Sequence, residues 1–68
     1  MSKYKQVYNE IKTQINSGNL APLQELPSEN ELMQSYGFSK DTIRTALSLL
    51  AIEGYIQKQQ GRNSIVLE

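Results

Sequence analysis

The chain of 68 residues contains no cysteine, no histidine and no tryptophan. Without cysteine there is no disulfide, and without cysteine or histidine the usual zinc ligands are missing. Small folds commonly use those devices to make up for a small core. Here only side-chain packing is left, and a domain of this size buries only about 60% of the surface its unfolded chain exposes. Apolar residues make up 38% of the sequence. The same two absences remove the commonest catalytic bases and nucleophiles. No Gly-rich phosphate loop is present either. Glu29 and Glu31 are the nearest approach to a carboxylate pair, and helix capping accounts for them better. The sequence therefore predicts no enzyme, no metal and no cofactor.

Long hydrophobic runs are also lacking. None approaches the ~18–20 residues that a membrane helix needs, and residues 1–9 have no apolar segment behind them of the kind that marks a secretory signal. The expectation is a soluble cytoplasmic protein with no membrane partner. Nor is there an excess of either charge, because seven basic residues balance seven acidic ones. Neutrality at first argues against a nucleic-acid partner. The distribution says otherwise. Lys3, Lys5 and Lys12 face only Glu10 in the first 18 residues. Glu25, Glu29 and Glu31 make the middle acidic. Lys40, Arg44, Lys58 and Arg62 outnumber Asp41 and Glu53 over residues 39–62.

Periodicity divides the chain into five elements. Tyr4, Val7, Tyr8, Ile11 and Ile15 follow the spacing of an amphipathic helix, expected over 3–17 and stopped by Gly18. Residues 19–27 form a connector, pinned to the core by Leu20, Leu23 and Leu26. Ser28-Glu29-Asn30-Glu31 is a capping box and opens a short second helix over 29–36, with Leu32, Met33 and Tyr36 on one face. Ser39 caps a third helix over 40–53, where Ile43, Ala46, Leu47 and Leu50 form an apolar stripe. Only Gly37, Phe38 and Ser39 separate the second and third helices, which is the layout of a helix-turn-helix. Beyond Gly54 the period changes. Residues 55–59 and 64–67 read as the strands of a hairpin, with Gln60, Gly61, Arg62 and Asn63 as its turn. The tyrosines at 8, 36 and 55 are expected in the core. One domain, mainly α with a small β-hairpin, accounts for the whole chain.

The third helix carries the functional reading. At ~100° per residue, its apolar stripe leaves Asp41, Arg44, Thr45 and Ser48 on the opposite side. The planar fork of Arg44 matches the O6/N7 edge of guanine, worth about 1–3 kcal/mol of discrimination. Thr45 suits a thymine methyl or a phosphate. Asp41 can accept from cytosine, although an acid in a first helical turn is better explained by the helix dipole. Ser39, Thr42 and the unpaired amides at the helix start suit phosphate oxygens. In the hairpin, Gly61 allows a close backbone approach, and Arg62 suits a narrow minor groove.

The ordered run Leu26-Pro27-Ser28-Glu29-Asn30-Glu31-Leu32, Tyr36 through Leu47, Gly54-Tyr55-Ile56 and Gly61 through Val66 resembles the GntR family of bacterial transcription regulators, and its HutC-type branch most. The resemblance implies a winged helix-turn-helix: three helices and a C-terminal wing. It implies binding of double-stranded DNA at a palindromic operator, as a homodimer and as a repressor. DNA contacts are implied at Ser28, Asn30, Ser39, Lys40, Thr42, Arg44, Thr45, Gln60, Gly61 and Arg62. A small-molecule effector is expected on a larger C-terminal domain, so the 68 residues are expected to be the N-terminal domain of a longer regulator. Some positions depart from the pattern. Asn30 and Lys40 stand where arginine is frequent, Thr45 where a longer polar side chain is common, and Asn63 where glycine is common. A winged-helix module that binds protein is the competing reading, favoured by neutrality and by the acidic middle.

Overall fold

Three apolar helical stripes and one pair of facing strand residues converge on a single core. The computed structural model describes residues 2–59 and 61–67, with Arg62 described through its backbone only. The elements are α1 (Lys3–Ser17), α2 (Glu29–Tyr36), α3 (Lys40–Ile52), β1 (Ile56–Gln59) and β2 (Arg62–Val66). This is the winged helix-turn-helix expected from the sequence.

The helix ends follow their local chemistry. The Ser28 hydroxyl accepts from the Glu31 amide at 3.1 Å, and the Glu31 carboxylate accepts from the Ser28 amide at 3.0 Å. The capping box is therefore complete. Ser39 likewise accepts from the Thr42 amide. Gly37 closes α2 at φ +71°, with its amide bonded to the Met33 carbonyl. A left-handed residue here lets the chain reverse in three residues, and glycine takes that conformation without a Cβ clash. α3 ends at Ile52, one residue earlier than expected.

Val7 and Ile11 of α1, Leu32 of α2, and Ile43, Ala46, Leu47 and Leu50 of α3 are buried together. Leu26 from the connector, Ile56 from β1 and Val66 from β2 complete the cluster. Among the described residues no polar or charged side chain is buried. Tyr8, Tyr36 and Tyr55 only border the core, half-buried, with their phenols outward. The Tyr8 hydroxyl donates to Glu53, which with burial raises its pKa above the usual tyrosine value. Lys12 lies over the rings of both Tyr8 and Tyr55, 5.5 Å from each. That cluster ties α1 to the end of α3 and the start of β1.

The hairpin is antiparallel, pairing Ile56 with Val66 and Gln59 with Arg62, with an irregularity between Gln57 and Gln59. Its strands differ from the expected bounds. Arg62 and Asn63 belong to β2, so only residues 60 and 61 lie between the last paired positions. Asn63, expected in the turn, therefore has strand backbone with a negative φ. Gly61 supplies the positive φ, at +72°, as two-residue hairpin turns require.

The connector adds a feature that periodicity did not signal. The Leu23 and Leu26 amides donate to the Val66 and Ser64 carbonyls, and the Val66 amide donates to the Gln24 carbonyl. Glu25 pairs with Ile65 as a lone bridge. Residues 23–26 thus run along the free side of β2 and satisfy backbone groups that an edge strand would leave open. Leu23 is a correction. Its side chain does not pin the connector, being 61% exposed, and its φ is +67°. The backbone bond to Val66 holds it there, while Leu26 is buried and Leu20 half-buried.

Two substitutions test this packing by urea or thermal unfolding. Leu50→Ala is expected to cost about 2–5 kcal/mol. That is a large share of the whole stability of so small a chain, at about 0.1 kcal/mol per residue, and lowers the melting temperature by about 10 °C or more. Leu23→Gly is expected to raise the melting temperature, by up to about 5 °C, because relief of a left-handed leucine outweighs the added freedom of glycine.

Candidate nucleic-acid interface

Burial of Ile43, Ala46, Leu47 and Leu50 turns the other side of α3 to solvent. Lys40, Asp41, Arg44 and Thr45 are exposed there, and Ser48 is half-exposed. Arg44 stands 59% exposed, with its Nε 3.8 Å from a carboxylate oxygen of Glu29 at the start of α2. An exposed pair of this kind contributes about 0–1 kcal/mol, so it steadies the side chain without locking it. Glu29, expected only from helix capping, therefore has a second contact, on the polar face of α3.

The hydroxyls around α3 are partly committed. Ser39 Oγ lies 3.0 Å from Thr42 Oγ1 and also accepts from the Thr42 amide at 3.3 Å. Whichever of the two accepts in that contact keeps its proton for an incoming phosphate oxygen. Thr45 donates to the Asp41 carbonyl at 2.8 Å. Its remaining offer to a ligand is a methyl group and an acceptor lone pair.

Beside α3 lies an open cleft. Ser28, Asn30 and Lys40 line one side of it, and Lys58, Gly61 and Asn63 of the wing line the other. Four expected site residues (Ser28, Asn30, Lys40 and Gly61) thus meet in one concavity although they are spread over more than thirty positions of sequence. Arg44 and Thr45 sit on the adjoining outer surface of α3, with Asp41 and Ser48. Ser39 and Thr42 stand at its N-terminus. Gln60 and the side chain of Arg62 lie outside the described residues. Among the described residues no group of acids could hold a metal ion.

Three side chains near this surface were not among the expected site residues. Lys58 donates to Ser48 Oγ at 2.8 Å, linking the wing to α3. Strand alternation carries the signal, because residue 58 shares a face with buried Ile56 two positions earlier. Asn63 donates to the Glu25 carboxylate at 3.0 Å, linking the wing to the connector. Lys3 lies over the Phe38 ring, 5.7 Å from its centre, which brings the start of α1 beside the turn before α3. Nothing in local sequence pairs residue 3 with residue 38. That contact needs the tertiary packing of α1.

Comparison with known proteins adds to this geometry. The family model for bacterial regulatory proteins of the gntR family matches residues 3–66. The chain is 45% identical over 67 residues to the HTH-type transcriptional regulator TreR of Bacillus subtilis, covering 98% of this chain and 28% of that protein. It is 40% identical over 65 residues to the histidine utilization repressor of Klebsiella aerogenes, covering 96% of this chain and 27% of the relative. It thus spans little more than a quarter of the length of these curated relatives. Among solved structures it is similar to the DNA-binding domain of AraR in complex with operator ORR3, at 44% identity and a TM-score of 0.94. That match covers 97% of this chain and 80% of the other. The helix-turn-helix, the wing and a match over nearly every residue agree: the chain belongs to the GntR family of bacterial regulatory proteins.

Proposed function

We propose that residues 1–68 form the operator-reading domain of a GntR-type transcription regulator. It binds double-stranded DNA with α3 in the major groove and the wing tip at the adjacent minor groove. One observation carries the reading: the polar face of α3 and the cleft beside the wing open side by side. A surface able to engage a groove and the neighbouring backbone together fits a duplex better than a small ligand. The AraR domain, solved with its operator, has the same backbone arrangement.

Each site residue then has a role. Arg44 reads a guanine edge in the major groove. Thr45 packs on a thymine methyl. Ser39, Thr42 and the first amides of α3 hold a phosphate. Lys40, Ser28 and Asn30 contact the backbone from one wall of the cleft. Lys40 does so as a point charge, without the bidentate geometry of arginine. Gly61 brings the wing tip close to the duplex, with Gln60 and Arg62 as its contacting side chains. The intact regulator is a cytoplasmic, non-enzymatic repressor. It acts as a homodimer on a palindromic site, and a domain outside these residues binds a small-molecule effector.

In vitro selection of duplexes with a dimerised form of the chain tests the reading, and an inverted repeat is the expected outcome. On the selected duplex, Arg44→Ala is expected to lower the preference over a scrambled duplex by about 5- to 150-fold, the equivalent of one bidentate contact. Fluorescence anisotropy at fixed salt measures this. An unchanged ratio would remove Arg44 from base reading. In the same assay Arg62→Ala is expected to weaken binding and flatten its salt dependence, because a phosphate-bound counterion is no longer released.

A further inference from the structure

The two grooves of a duplex are separated by a sugar–phosphate backbone. A protein that places a helix in one groove and a loop tip in the next must straddle that strand. In this chain the straddling surface is the cleft bounded by Lys40 on α3, Ser28 and Asn30 at the start of α2, and Lys58 and Gly61 on the wing. From this geometry, which rests on the DNA reading above, we infer that Lys58 is a further DNA-contacting residue, whose ammonium takes a phosphate of the strand crossing between α3 and the wing.

Three features support the assignment. Lys58 follows buried Ile56 by two residues in β1, so it leans back toward α3 and not away from the protein. Its Nζ donates to Ser48 Oγ at 2.8 Å, which holds the ammonium against the flank of the recognition helix. That partner is a neutral hydroxyl, so the charge is not cancelled, and two of the three ammonium protons are left for an anion. The carboxylate that also lines the cleft, Glu29, is engaged by Arg44. The cleft therefore presents Lys40 and Lys58 from opposite sides to whatever passes between them.

The test is the salt dependence of binding to two duplexes, the selected operator and one of mixed sequence, followed by anisotropy. Lys58→Gln is expected to reduce the slope of log K against log salt by about 0.9, one phosphate's share. The corresponding loss is about eight-fold at 0.1 M salt, by the same relation. The loss should be equal on both duplexes, since a phosphate contact carries no sequence information. The melting temperature of the free protein should fall by no more than about 5 °C, the share of one exposed hydrogen bond. Ser48→Ala separates contact from tether: contact predicts that it keeps the parent slope. A Lys58→Gln slope equal to the parent's overturns the inference and leaves the DNA reading intact, as does a Ser48→Ala variant that reproduces the whole loss. Salt-independent duplex binding by the parent overturns both.

Discussion

The burial of one helical stripe governs the arrangement of this molecule. Ile43, Ala46, Leu47 and Leu50 lie in the middle of the core, packed against Val7 and Ile11 of α1. Rotating α3 about its axis would expose those side chains, at about 1.5–3 kcal/mol for each large one, in a chain whose total stability is of the same order. The orientation of the polar face is therefore set by packing. Lys40, Arg44 and Thr45 point outward because their neighbours cannot.

The same constraint reaches the wing. Ile56 and Val66 are directly paired across the hairpin and are both buried in the core. They fix the base of the hairpin. Polar contacts then restrain it from two sides. Lys58 reaches Ser48 on α3, and Asn63 reaches Glu25 on the connector. The connector's backbone runs along β2 as well. A hairpin of four- and five-residue strands is marginal alone. Held on both sides, it can keep its cleft open before any ligand arrives, which lowers the ordering cost of binding.

Much of this was legible in the sequence because the relevant signals are local. The capping box at Ser28, the three-residue turn at Gly37 and the stripe of α3 each depend on residues within one or two turns. Of the expected site residues, Ser28, Asn30, Lys40 and Gly61 share one cleft, while Arg44 and Thr45 lie on the outer surface of α3. What escaped depends on distant partners. The pairing of residues 23–26 with β2, the exposure of Leu23 and the strand conformation of Asn63 all follow from the connector lying beside the wing. So does the Asn63–Glu25 hydrogen bond, across 38 positions. Arg44 was expected to face solvent alone. Its pairing with Glu29 arises because the turn folds the start of α2 back beside α3.

The central claim is that packing of α3 presents one surface, made of its polar face and the wing cleft, to a duplex. Titration of the isotope-labelled chain with a mixed-sequence duplex at low salt, followed by backbone amide chemical shifts, tests it most directly. The account predicts shift changes concentrated at residues 28–30, 39–48 and 58–64, with the outer face of α1 around residues 9–16 unmoved. Changes centred on α1, or none within α3, would contradict it.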